Sequence, residues 1–172
     1  MINCNIEVVN EYPAWDLDIS QIRDFARDIL LFYSDCPEIN QAFCLKDYEY
    51  NTVSFDILFC DGEKTHEINR DYRGKDYPAD IITFALFADS DVQDRLVQEF
   101  EINLGEVIIA LDKIKDSARE KGIDDMTELK FMISHGIMHL LGFDHKTEEE
   151  FDFVVSEQKK VLGSMGINYD KI

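Results

Sequence analysis

Apolar and polar residues alternate with a period of two over residues 3–9, which predicts a first strand. The rhythm then lengthens: Ile19, Ile22, Phe25, Ala26, Ile29, Leu30 and Tyr33 recur at helical spacing and predict a long amphipathic helix. Residues 51–60 carry Val53, Phe55, Ile57 and Phe59 in alternation and read as a strand. Asp61-Gly62 turns the chain into a short helix running to about Tyr72. After a polar loop, residues 80–86 read as another strand, and the acidic stretch 89–101 as loop or helix. Residues 105–111 form a nearly continuous apolar run, the pattern of a strand buried on both faces. Asp112 reads as the N-cap of a helix ending near Gly122. Asp125-x-x-Glu128 reads as a capping box for the next helix, whose apolar stripe is Leu129, Met132, Ile133, Ile137 and Leu140 and which stops at Gly142. A last amphipathic helix covers roughly residues 147–162. Strands and helices mixed without βαβ repetition predict an α+β domain: a small mixed sheet of about four strands packed with several helices.

At 172 residues with 45% hydrophobic content and no linker or repeat, residues 1–172 read as one domain large enough for a real core. The longest nearly apolar run, residues 81–88, is far short of the about 20 residues of a membrane-spanning helix. The N-terminus shows neither a basic segment nor a long apolar one, so a cytoplasmic protein is expected. Cys4, Cys36, Cys44 and Cys60 form no C-x-x-C pair and read as reduced thiols in that compartment. Charge changes the picture more. Seventeen basic against thirty-six acidic residues give a net charge of −19, which repels nucleic acid and anionic membranes at long range. A polyanionic substrate therefore needs a local basic patch, and Arg70, Arg73 and Lys75 are the nearest sequence cluster to the residues that follow.

Those residues are His135-Gly-Ile-Met-His139-Leu-Leu-Gly142-Phe-Asp144-His145. His135 and His139, four apart on a predicted helix, project from one face one turn apart. Gly142 can take the positive φ that ends the helix and returns the chain, bringing His145 back as a third nitrogen ligand. Three neutral imidazoles with an open fourth position make a catalytic zinc site, one ion per chain, whereas structural zinc is usually closed by four protein ligands. Chance produces this spacing in roughly one such chain in a thousand. His66 lies apart in a polar helix and reads as exposed and uninvolved. Metzincin proteases share the spacing but place a catalytic glutamate after the first histidine, where this chain has Gly136. Peptide hydrolysis by that route is disfavoured.

The chain resembles the YbeY family of metal-dependent endoribonucleases. The family signature H-G-x-x-H-L-x-G-y-D-H is met by His135, Gly136, His139, Leu140, Gly142, Asp144 and His145, with Phe143 at the aromatic position. A second family block, L-N-x-x-Y-R-G-K-D-x-P-T-D-V-L-S-F, is similar to Ile68-Asn69 and Tyr72-Arg73-Gly74-Lys75-Asp76-Tyr77-Pro78-Ala79-Asp80-Ile81-Ile82-Thr83-Phe84. A third, G-D-I-x-I, is similar to Gly105-Glu106-Val107-Ile108-Ile109. Ala79 stands at a usual threonine, Thr83 at a usual serine and Glu106 at a usual aspartate. The likeness runs from about residue 53 to 162, and the first fifty residues show none.

The resemblance implies a single-strand-specific, zinc-dependent endoribonuclease that matures the 3′ end of 16S ribosomal RNA and acts in ribosome quality control. It implies ribosomal RNA, the small ribosomal subunit and its assembly proteins as partners. It also marks Arg73 as the functional arginine, able to pair with a phosphate; its structural alternative is a tie from its loop to a carboxylate. Asp80 and Asp144 are candidates to orient ligand imidazoles, Asp144 equally a turn residue, and Asp80 or zinc-activated water a candidate base. Two other readings stay open: a zinc hydrolase of peptides or esters, and a non-catalytic ribosome assembly factor with structural zinc.

Overall fold

The computed structural model describes residues 1–170. Four strands, β1 (Asn3–Asn10), β2 (Thr52–Cys60), β3 (Ile81–Phe84) and β4 (Glu101–Ala110), form one sheet in the order β1-β2-β4-β3. β1 pairs with β2, and β2 with β4, in parallel, while β3 runs antiparallel to β4. Around the sheet lie α1 (Ile19–Asp35), α2 (Pro37–Asn40), α3 (Gly62–Arg73), α4 (Leu86–Asp89), α5 (Leu111–Lys121), α6 (Asp125–Leu140) and α7 (Glu148–Ser164). This is the expected α+β class with a mixed four-stranded sheet.

Parallel neighbours need a crossover long enough to bring the chain back, and α1 supplies it between β1 and β2. The apolar run of β4 has the predicted cause. Val107 and Ile109 join Phe55, Ile57 and Phe59 in the main core, while Ile108 points the other way, to Cys60, Ile82 and the α3 residue Ile68. With both faces covered, polar alternation disappears. On the main face α6 is the central helix. It packs against β3, β4, α1, α5 and α7, so Phe131 and Met138 are buried beside the predicted stripe, and Met132 only partly so.

Several boundaries differ from the sequence reading. β4 starts at Glu101, because pairing with β2 continues through a register shift at Ser54/Phe55 and through Gly105 instead of ending there. Gly105 has φ +124, and a Cβ there would collide with the Phe84 carbonyl, so only glycine fits. Upstream, residues 89–101 hold the end of α4, a single 3-10 turn at Val92–Asp94 and a Gln98–Glu101 bridge. β3 is shorter than residues 80–86, because the chain enters α4 at Leu86.

Asp112 is not an N-cap. α5 begins after Ala110, and the Asp112 carboxylate accepts from the Gly62 N–H at 2.8 Å and the Lys113 N–H at 2.9 Å, tying α5 to the start of α3. The box expected at Asp125 and Glu128 is absent too. Asp124 caps α6 by accepting from the Thr127 N–H at 3.1 Å, and Glu128 turns inward to the Lys121 Nζ at 2.8 Å and the Tyr169 hydroxyl at 2.9 Å. The reciprocal capping box lies at Thr147 and Glu150, heading α7. No described helix is long and apolar enough to cross a membrane. All four cysteines are free thiols.

Candidate metal centre

The last two turns of α6 and the loop after it build the centre. His135 and His139 lie one turn apart with their Nε2 atoms 2.9 Å from each other. Helix α6 ends at Leu140, and Gly142 takes φ +98. The Gly142 N–H donates to the His139 carbonyl at 3.0 Å and the Phe143 N–H to the Met138 carbonyl at 3.1 Å, which closes the helix end. From outside, the Cys44 N–H donates to the Leu141 carbonyl at 2.8 Å and pins the turn to the segment after α2. The chain then returns His145 to the other two rings, with centroids 5.1 Å from His135 and 5.0 Å from His139. One nitrogen from each ring lies within 4.8 Å of the others.

Burial pushes the His135 imidazolium down to about 4, and the neighbouring His139 and His145 add to the shift while the Gln158 contact opposes it. Burial also lowers His139, with His145 acting in the same direction. Neutral rings at physiological pH are what a divalent ion requires of imidazole ligands. Donor type and spacing fit a divalent ion such as zinc, and the three rings line a cavity of about 420 Å³.

Arg73 stands on the wall of that cavity with Ile81, Thr83, Ala85 and Asp89. It is the last residue of α3, where Gly74 at φ +64 ends the helix. Asn69, buried, holds the following loop: its side-chain amide donates to the Tyr77 carbonyl at 2.9 Å, and its main-chain carbonyl accepts the Lys75 N–H at 3.1 Å. No salt bridge is formed by Arg73 among the described residues, so the loop is not tied through its guanidinium. Of the basic cluster, only Arg73 reaches the wall; Arg70 bonds Asp71 at 3.2 Å. His66 sits apart, its Nε2 2.7 Å from the Asp76 carboxylate.

Gly136 is buried and faces the sheet: a Cβ there would lie 2.7 Å from the Val107 Cγ1. The position that carries the base in metzincins is here a close approach of α6 to β4. Asp144 is the turn residue, accepting the His145 N–H at 2.8 Å, a bond that holds its carboxyl below the usual range. Asp80 does not orient an imidazole. It lies by the start of α6, with its carboxyl raised by burial and then by the Glu128 charge, and it is not on the cavity wall. The wall carboxylates are Asp144 and Asp89, the latter unmarked in the acidic middle segment. Against the His135 Nδ1, at 3.1 Å, lies the Gln158 Oε1. One signal could have found that glutamine: it interrupts the apolar stripe Val154, Val161 and Leu162 of α7 at a core position.

Residues 14–166 match the family described as Endoribonuclease YbeY, so the likeness extends well upstream of residue 53. An Endoribonuclease YbeY of Geobacillus sp. (strain WCH70) is 46% identical over 112 residues, 64% of this chain and 72% of the relative. That of Bacillus licheniformis is 40% identical over 113 residues, 65% and 72% of the two chains. The solution structure of a Thermotoga maritima protein has the same fold, with a TM-score of 0.54, 21% identity, and coverage of 94% of this chain and 91% of that one.

Proposed function

Because the chain belongs to the Endoribonuclease YbeY family, we propose that residues 1–172 form one hydrolase domain, a zinc-dependent endoribonuclease that cuts single-stranded RNA. Its proposed substrate is the 3′ end of 16S ribosomal RNA in the small ribosomal subunit and its assembly intermediates, where it also serves ribosome quality control. The observation that carries the reading is that the three clustered histidines and an arginine without a salt bridge among the described residues, more than sixty residues apart in sequence, share one open cavity.

His135, His139 and His145 would hold one zinc ion through ring nitrogens. When bound, such an ion supplies Lewis acidity at a phosphodiester and brings the pKa of water near neutrality. The Arg73 guanidinium presents two parallel N–H donors to the non-bridging oxygens and offsets the negative charge that builds on them. Asp144 is already engaged by the backbone, so Asp89 is the wall carboxylate placed to accept a proton. One cationic wall residue in a chain at −19 favours a short contact with a flexible strand over a grip on a duplex.

The test is metal content of the purified chain together with cleavage of a single-stranded RNA carrying the 16S 3′ precursor end, with its duplex form and a chelator as comparisons. Near-stoichiometric zinc, cutting of the single strand alone, and loss of both metal and cutting in His139→Ala are expected. Full metal in His139→Ala overturns the ligand assignment. A zinc-loaded protein that leaves RNA intact and hydrolyses a peptide or ester overturns the substrate.

A further inference from the structure

We propose that Gln158 is a positioning residue that fixes the tautomer and aim of His135, leaving its Nε2 lone pair turned to the cavity. The side chain is fully buried between α6 and α7. Its Nε2 donates to the Phe131 carbonyl at 2.9 Å and to the Ser134 Oγ at 3.0 Å, and its Oε1 lies 3.1 Å from the His135 Nδ1.

The chemistry of these partners leaves the amide one orientation. A backbone carbonyl only accepts, so the amide atom facing Phe131 must be the NH₂ nitrogen. The Ser134 hydroxyl spends its proton on the same carbonyl at 2.6 Å and offers lone pairs to the amide. Flipping Gln158 would set oxygen against a carbonyl oxygen at a fully buried position and leave the amide nitrogen without an acceptor, which a buried amide does not tolerate. The amide oxygen therefore faces His135, and an oxygen acceptor requires a proton on Nδ1. A neutral imidazole carries only one proton, so Nε2 is left bare. That bare nitrogen is the one 2.9 Å from the His139 Nε2, on the side where the three rings converge. The backbone of α6 thus orients its own first histidine through a side chain of α7, and Ser134 and Phe131, within one turn of His135, set the glutamine's direction.

The effect on metal affinity rests on the proposed role of His135 as a ligand, but the tautomer does not. Nitrogen-15 NMR of the metal-free parent is expected to show the Nδ1–H tautomer at His135, and an Nε2–H tautomer there overturns the inference without any variant. Gln158→Met, close in volume, removes the acceptor. It is expected to mix the two tautomers and to weaken zinc binding, read by chelator competition, by about 10- to 100-fold. Gln158→Glu restores an acceptor to Nδ1 and is expected to return the Nδ1–H tautomer and part of the affinity. A purely structural glutamine would lower the melting temperature of Gln158→Met and leave the His135 nitrogen shifts as in the parent, which overturns the proposal. Unchanged zinc affinity in His135→Ala would instead overturn the metal reading, whatever the tautomer.

Discussion

Gly136→Ala adds one methyl group where α6 presses on the sheet, and it tests whether that contact positions the histidines. The new Cβ would lie 2.7 and 3.0 Å from the two Val107 methyls and 3.2 Å from the Ile81 Cδ1. Carbon atoms settle at about 3.5–4.0 Å, so α6 must retreat by roughly an ångström or Val107 must turn. Val107 is 1% exposed, β-branched and paired in the sheet, and has little freedom to turn. Overpacking of this kind costs about 1–3 kcal/mol, and the better helix propensity of alanine returns at most about 1 kcal/mol. Taken from the middle of that overpacking range, the net is a loss of about 1–2 kcal/mol, or a melting temperature lower by roughly 2–8 °C for a chain of this length. Because His135 adjoins the displaced residue, zinc affinity should fall with stability. The assay is thermal unfolding of the metal-free protein plus chelator competition, with Val107→Ala made alone and in combination. The smaller neighbour should relieve the clash, so the double variant should be less destabilised than the sum by about 0.5–3 kcal/mol. Unfolding of Gly136→Ala at or above the parent temperature, or strict additivity with Val107→Ala, would refute the close-approach argument.

Arg73→Ala should leave folding and zinc content near the parent values and reduce RNA turnover, with Arg73→Lys recovering only part because a point charge lacks the two-donor fork; early melting or zinc loss would make the arginine structural. Lys121→Met leaves the Glu128 carboxylate, 1% exposed, with hydroxyl donors but without its cation, and should cost toward the lower part of about 3–5 kcal/mol since Lys121 itself reaches solvent. Adding Glu128→Leu should restore most of that in denaturant unfolding, and no recovery would show that the pair is not the source. For pH, the folded chain binds a proton on His135 only near 4, while the unfolded chain does so near the ordinary 6.5. The metal-free protein therefore keeps this stability above about pH 6.5 and loses it as pH falls toward 4, by up to roughly 3 kcal/mol. His139, lowered by the same burial, adds in the same direction. His135→Ala should unfold with a flatter profile between pH 7 and 4.5 than the parent, and parallel profiles would contradict the burial argument.

The histidine triad was legible in the sequence because its geometry is local. An i, i+4 pair on a helix and a glycine able to take φ +98 bring three rings together with little help from the rest of the chain. Strand β4 was legible for a related reason, since burial on both faces erases polar alternation wherever it occurs. Helix starts at α5 and α6 were misread by one residue or more because aspartate and glutamate are equally suited to capping and to long-range bonds. Asp112 reaches the Gly62 N–H and Glu128 reaches Lys121 and Tyr169, and partners so distant in sequence leave no mark on the local pattern. Only the tertiary structure brings Arg73 to the cavity that the histidines line, because α3 and α6 cover different faces of the sheet and both pack on the short edge strand β3. It also decides that Asp89 and not Asp80 lines the cavity, and that Gln158 and not an aspartate stands behind His135. The three histidines are gathered by the spacing of near neighbours along one helix and the turn after it; what surrounds them is chosen by packing between helices far apart in the chain, which no period of two or of 3.6 encodes.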